Sequence, residues 1–242
     1  MTDAGTAVLL ASREWSHEPL TSMPGDQIVA IALVAVALAL ARPTWNVVGY
    51  PVTIVHELGH ALAALTAGYR LHGITINSDM SGTTNYWTRG TAGRLWTLWW
   101  GYPAPAAVGA GLIWAAMAGW ARTALAIVVA GLLLVFLLSR SWQTVAVVLT
   151  TGLALGAVGW YGSAWAVNIA VFAFGWLLIV GSVRALWTVT RAHLTRRRLA
   201  GSDAYLMSRA GVLPGLFWLL TYAAAIGGFT WYAVTALLAV TA

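Results

Sequence analysis

Residues 47–67 read VVGYPVTIVHELGHALAALTA, an apolar stretch that contains two histidines and one glutamate. A helix places positions i and i+4 on one face, so His56 and His60 can bind the same metal ion. Glu57 lies between them, where a metal-dependent hydrolase carries its general base. Titratable groups inside a bilayer are costly and mark functional sites, so we interpret this stretch as a metal site within a membrane helix.

The composition of the whole chain indicates a membrane protein. Of its 242 residues, 60% are hydrophobic and 8% are charged, and the mean hydropathy is +0.78. A soluble domain carries about 25% charged residues. These values predict an all-α polytopic protein of the cell membrane that crosses the lipid bilayer several times.

Two features of the polar residues exclude other kinds of site. The chain has no cysteine, so a metal ion would have to be bound by His, Asp or Glu, and disulfides are excluded. Its formal net charge is +6, but the arginines are dispersed along the chain. We attribute this charge to orientation in the membrane and expect no nucleic-acid partner.

The apolar segments divide the chain into a tail and one membrane domain. We expect a polar N-terminal tail at 1–26 and a single transmembrane domain at 27–242. A membrane span needs roughly 20 residues. Seven spans are predicted, with six as the alternative because the first and fourth segments are short; they lie at 27–41, 46–67, 99–120, 123–138, 142–160, 163–189 and 212–240.

The arginines predict the orientation of these spans. With a cytoplasmic N-terminus, the cytoplasmic loops hold most of the arginines outside the spans, and the outer loops hold only Arg42 and Arg122. This bias follows the positive-inside rule. The C-terminus is then outside the cell, and the loop at 191–198 is cytoplasmic.

The segment between the second and third spans has a different pattern. Residues 71–77 alternate and are rich in β-branched side chains, residues 78–82 have the composition of a turn, and residues 83–87 form a second short β-like run. This pattern predicts a β-hairpin at the cytoplasmic face, with an irregular loop as the alternative. The edge of such a hairpin can accept an extended peptide, so Ile74 and Ile76 are predicted to bind substrate.

A catalytic zinc ion has three protein ligands and keeps one position for water, so a third ligand is needed. Beyond residue 26, the candidates are few, namely Asp79, Asp203, His72 and His193. His193 adjoins a run of arginines, and His72 begins the hairpin, so neither histidine is expected in a buried site.

The two aspartates remain as alternatives for the third ligand. Asp203 opens the last helical region from the same face of the membrane that His60 lies nearest, so the expected depth favours it. Its competing role is to cap that helix, which either Ser202 or Asp203 can do. Asp79 lies in the hairpin turn, where aspartate is common for conformational reasons alone.

Several motifs together resemble the site-2 protease family of intramembrane zinc metalloproteases, and more closely its compact bacterial branch without a PDZ domain. The resemblance covers about residues 46–225 and rests on four stretches: HELGHA at 56–61, DMSGT at 79–83, GYPAPA at 101–106 and SDA at 202–204. It implies that Asp203 is the distal aspartate ligand. Better-known members carry Asn-Pro-Asp-Gly or Leu-Asp-Gly there, and Asn168 is the candidate replacement for their asparagine.

The leading hypothesis is therefore a zinc endopeptidase that cleaves a transmembrane segment of another protein. Zn²⁺ would be bound by His56, His60 and Asp203, Glu57 would act as the general base, and Asn168 or Tyr102 would help to stabilise the oxyanion. The rival hypothesis is a non-catalytic metal-binding scaffold, regulator or transporter. A regulatory membrane partner or a homo-oligomer is compatible with either hypothesis.

Overall fold

The structure is a computed structural model that describes residues 18–196, 201–211 and 213–240. Most of the predicted N-terminal tail, together with Arg197 and Arg198, lies outside the described residues. After a short 3-10 helix at Leu20–Ser22, the helices are α1 (Gly25–Leu40), α2 (Arg42–Thr66), α3 (Thr91–Trp99), α4 (Pro103–Met117), α5 (Ala121–Leu137), α6 (Trp142–Tyr161), α7 (Ala164–Thr195), α8 (Asp203–Ala210) and α9 (Gly215–Ala239). Two strands, β1 (Leu71–Ile76) and β2 (Gly82–Tyr86), lie between α2 and α3.

Fewer helices are long enough to span a membrane than the number of apolar segments in the sequence suggests. Within the described residues, α6, α7 and α9 are long and apolar enough to cross a bilayer. The pair formed by α1 and α2 qualifies only as a unit and is bent by 97° at its break. Because α4 and α5 are apolar but have only 15 and 17 residues, the count of six or seven spans stays a prediction.

Helix α7 packs against α1, α4 and α9 and forms the centre of the helical assembly. Its contact with α4 is close because glycines face each other. A Cβ atom built on Gly109 would lie 2.6 Å from the carbonyl oxygen of Gly175, and one built on Gly175 would lie 2.7 Å from that of Gly109. The two backbones therefore touch, as small residues allow in membrane helices.

The predicted β-hairpin is present. Strands β1 and β2 pair in antiparallel fashion, with Ile74 opposite Thr84 and Ile76 opposite Gly82. The outer edge of β1 contacts the connection between α5 and α6. The N–H of Ile74 donates to the carbonyl of Leu138 at 2.7 Å, and the N–H of Ile76 donates to the Thr144 hydroxyl at 2.7 Å. Among the residues that the structure describes, no further strand pairs with β2, so its outer edge is open.

Candidate metal centre

Three side chains from two distant parts of the chain converge on one point. Helix α2 contributes His56 and His60, whose Nε2 atoms lie 3.1 Å apart. Asp203, the first residue of α8, places its Oδ2 atom 3.2 Å from Nε2 of His56 and 3.3 Å from Nε2 of His60. The ligand set that the sequence predicted is therefore brought together in the folded chain.

The ring of His60 is oriented by a contact on its far side. Its Nδ1 atom lies 2.8 Å from the carbonyl oxygen of Thr97, so the ring proton is placed on Nδ1 to donate to that oxygen. The lone pair of Nε2 then faces His56 and Asp203. A hydrogen bond of this kind fixes the tautomer that a metal ligand requires.

The connection between α3 and α4 closes over both rings. A Cβ atom on Gly101 would lie 2.4 Å from Cε1 of His60 and 2.8 Å from Cε1 of His56, so a larger residue there would displace the rings. The next residue, Tyr102, contacts the His56 ring edge-on, with 4.9 Å between the ring centroids. The serine hydroxyl of Ser182 on α7 donates to the carbonyl of Tyr102 at 3.0 Å and anchors this connection.

Asp203 is free to face the cluster because its neighbour caps the helix. The hydroxyl of Ser202 accepts a hydrogen bond from the N–H of Tyr205 at 3.3 Å, which makes Ser202 the N-cap of α8. The same hydroxyl lies 2.9 Å from Nε2 of His193, at the end of α7. His193 is therefore not in the cluster, and it connects the end of α7 to the cap of the helix that carries Asp203.

The donor atoms fit a zinc ion. Tetrahedral coordination at about 2.0–2.1 Å places neighbouring ligand atoms about 3.3 Å apart. The three atoms of His56, His60 and Asp203 are separated by 3.1, 3.2 and 3.3 Å. With the ring proton of His60 on Nδ1, the lone pair of its Nε2 faces the Asp203 carboxylate oxygen, and a cation between these atoms would stabilise that arrangement.

Glu57 offers a second possible ligand set. The ligand atoms of His56, Glu57 and His60 lie within 4.8 Å of one another, so these three residues could also hold a metal ion. We favour Asp203 as the third ligand because its oxygen is within 3.3 Å of both imidazole nitrogens. In addition, one carboxylate oxygen of Glu57 already accepts a hydrogen bond from the Thr84 hydroxyl.

Strand β2 holds the carboxylate of Glu57. The hydroxyl of Thr84 donates to Oε2 of Glu57 at 2.6 Å and lies 3.1 Å from the Glu57 carbonyl oxygen. A Cβ atom on Gly82 would lie 2.3 Å from Oε1 and 2.6 Å from Cγ of Glu57. Thr84 and Gly82 are functional candidates that the sequence analysis did not identify, although both belong to the hairpin that follows the motif.

The other polar candidates have local contacts. Asp79 is exposed, and its carboxylate accepts hydrogen bonds from the N–H and the hydroxyl of Ser81 at 3.0 and 2.6 Å. These two bonds hold the pKa of Asp79 below its ordinary value. His72 packs edge-on against Trp87, with 5.6 Å between the ring centroids. The alternative ligand Asp79 is thus a turn residue, as its sequence context indicated.

The prediction that Ile74 and Ile76 bind substrate is contradicted by their positions in the structure. Both are fully buried and pack in a cluster with Ile54 and Ala61 of α2. Their N–H groups already donate to Leu138 and Thr144. The edge of β1 therefore has no free donor at these positions for an added strand, because the α5–α6 connection and the first turn of α6 occupy it.

Asn168 is not brought to the cluster either. It is buried, and its amide donates to the carbonyl of Glu18 at 2.7 Å. It lies 14 residues, or about 21 Å along α7, from Ser182, which contacts Tyr102 beside the cluster. The geometry gives Asn168 a structural contact and leaves Tyr102 as the nearer candidate for the oxyanion role.

Comparison with known proteins matches most of the chain to one protein family. A family model described as Peptidase M50B-like matches residues 28–233, which include His56, Glu57, His60 and Asp203. No curated protein and no solved structure matches the chain. Because the matched region covers most of the 242 residues, the chain belongs to the Peptidase M50B-like family of membrane metallopeptidases.

Proposed function

We propose that this protein is an intramembrane zinc endopeptidase that cleaves a transmembrane or membrane-proximal segment of another membrane protein. The observation that supports it best is the convergence of His56, His60 and Asp203 within 3.3 Å, with Glu57 beside them. In this proposal the three residues bind Zn²⁺. Bound zinc would supply Lewis acidity towards water and the scissile carbonyl.

Glu57 is the proposed general base. Its carboxylate takes a proton from the attacking water as the new C–O bond forms, and passes that proton to the nitrogen as the C–N bond breaks. The side chain is 2% exposed and bonded to Thr84, so its position is fixed before substrate arrives. A base that needs no reorganisation can act as soon as the peptide bond is placed beside it.

The open edge of β2 is the proposed place for the substrate backbone. Neighbouring positions of an antiparallel pair alternate between hydrogen-bonded and non-hydrogen-bonded pairs. Ile74 uses its N–H and its C=O outside the hairpin, so the N–H and C=O of its partner Thr84 point away from β1. Within the described residues no further strand pairs with β2. An unwound substrate segment could add there, next to the carboxylate that Thr84 holds.

The proposed orientation places the hairpin and the N-terminus on the cytoplasmic side. The contacts of β1 with Leu138 and Arg140 put the hairpin beside the α5–α6 connection. Arg70 and Arg89, which flank the hairpin, and Arg140 in the connection are all assigned to the cytoplasm. The partners we propose are a transmembrane protein substrate and the lipid bilayer. A regulatory membrane protein or a second copy of the chain is a further possible partner.

The proposal is tested with the full chain purified in lipid nanodiscs together with a model single-span substrate. We expect zinc at one ion per chain and cleavage that stops on chelation and returns when zinc is restored. The Glu57→Gln variant serves as the control for contaminating proteases. Bound zinc without any cleavage across a panel of single-span substrates would support the non-catalytic scaffold or regulator, and a protein without affinity for zinc would exclude both metal-based functions.

A further inference from the structure

A cavity lies at the base of the hairpin, apart from the metal centre. It has a volume of about 430 Å³ and is lined by Gly68, Tyr69, Arg70, His72, Trp87 and Arg89. Two hydrogen bonds tie its walls together. The N–H of Trp87 donates to the carbonyl of Arg70 at 3.1 Å, and the Tyr69 hydroxyl donates to the carbonyl of Arg89 at 2.7 Å. The fold itself thus brings the two arginines to one cavity.

The cavity is positively charged and lacks a compensating acid. Its lining includes two arginines and a histidine but no Asp or Glu. Among the described residues, the ion pairs found both involve Asp203, so Arg70 and Arg89 have no carboxylate partner there. The guanidinium of Arg140 adds charge nearby, since its Nε donates to the carbonyl of His72 at 2.6 Å. Such a cavity attracts an anion with several acceptor oxygens.

An apolar surface leads directly to this cavity. In the last two turns of α2, Leu62 and Leu65 are each 48% exposed, and Gly68 of the cavity donates its N–H to the carbonyl of Leu65. Trp87, which lines the cavity, is 68% exposed. Exposed leucines on a membrane helix face acyl chains, and exposed tryptophans are enriched at the level of the headgroups. The cavity therefore lies where a lipid headgroup would meet the protein.

We propose that this cavity binds the phosphate headgroup of one anionic phospholipid, with Arg70 and Arg89 as its cationic ligands. The acyl chains would lie along Leu62 and Leu65, and Trp87 would flank the headgroup at the interface. This site stands independently of the proposed protease chemistry, because none of its residues belongs to the metal centre. Bound lipid would brace the base of the hairpin whose other end carries Gly82.

The binding experiment uses the full chain in a neutral detergent and native mass spectrometry. The probes are dioctanoyl phosphatidylglycerol, dioctanoyl phosphatidylcholine and inorganic phosphate. We expect one phosphatidylglycerol per chain, bound at least about tenfold more tightly than phosphatidylcholine, and a loss of at least about tenfold in the Arg70→Gln/Arg89→Gln variant. Arg70→Lys/Arg89→Lys should retain most of the binding because a phosphate also accepts from ammonium groups.

The matched control variant removes two arginines that lie outside the cavity. Arg191 and Arg209 are exposed and lie outside the cavity, so Arg191→Gln/Arg209→Gln should bind phosphatidylglycerol like the wild type. An equal loss in both double variants would mean diffuse surface attraction and would overturn the site. Saturable binding of inorganic phosphate as tight as that of the lipid would overturn the lipid as its occupant.

Discussion

The central turn of α2 has two faces, and they are served by different parts of the molecule. His56 and His60 face the α3–α4 connection and α8, where Thr97, Gly101 and Asp203 orient and complete the ligand set. Glu57 is turned about 100° from His56 around the helix and faces β2. Under the proposed function, one helical turn is thus shared between a face that would hold the metal and a face that would hold the base. This division implies that metal retention and proton transfer can be lost separately.

Removing Asp203 should have the largest effect, because it damages the metal-holding face itself. Asp203→Ala leaves two histidines on one helix, so zinc affinity should fall by more than about 100-fold and cleavage should disappear with it. Metal content by mass spectrometry after dialysis, measured together with cleavage, checks this. Asp79→Ala is the control and should retain zinc. Full zinc occupancy in the Asp203→Ala protein would reassign the third ligand to Glu57.

The Glu57→Gln variant tests the face of α2 that carries the proposed base. The substitution keeps the size of the side chain and removes its ability to accept a proton, so cleavage should fall by about 10²–10⁴-fold while zinc stays bound. Turnover and metal content are measured on the same preparation. Loss of zinc from this variant would contradict the division and would place Glu57 among the ligands.

A pair of glycine substitutions compares the two faces with the same chemical change. A methyl group at Gly101 would press on both imidazole rings, whereas one at Gly82 would press on the carboxylate of Glu57. We expect Gly101→Ala to weaken zinc binding, and Gly82→Ala to retain zinc but lower kcat by about 10²-fold because the base is displaced. If both variants lost zinc to the same extent, the hairpin would have to support the metal as well.

Thr84→Val removes the hydroxyl that holds Glu57 and changes the side chain little otherwise. A hydrogen bond to a charged group contributes about 1.5–3 kcal/mol, so kcat should fall by about tenfold or more, with KM and zinc content unchanged. Thr84→Ser should restore the rate because it restores the donor. Thr83→Val, on the exposed face of the same strand, is the matched control. A rate equal to the wild type in Thr84→Val would remove Thr84 from the mechanism.

The smallest effect on catalysis is expected at Ile74, where the structure contradicts the prediction made from the sequence. Its side chain is fully buried, so Ile74→Ala should lower the free energy of unfolding by about 2–5 kcal/mol through the cavity it leaves. The KM for a single-span substrate should stay the same below the melting temperature. A raised KM in a variant of normal stability would restore Ile74 to substrate binding.

Local patterns were predictable from the chain because they depend on residues close in sequence. The spacing of His56 and His60 on a helix and the two short strands of the hairpin were both expected and are both present. The prediction that Ile74 and Ile76 bind substrate is contradicted, because their N–H groups donate to Leu138 and Thr144. Alternation in a strand shows which side chains share a face, but it does not show which edge another element will cover.

The sequence by itself determined that this is a membrane protein and which helix carries the histidines and the glutamate, since composition and periodicity express local preferences. It narrowed the third ligand to a few residues because the chain has so few acids. Only the tertiary structure decided that Asp203 meets both rings and that Thr84 and Gly82 hold Glu57. Those contacts join residues far apart in the chain, and helix packing sets their distances to a fraction of an ångström.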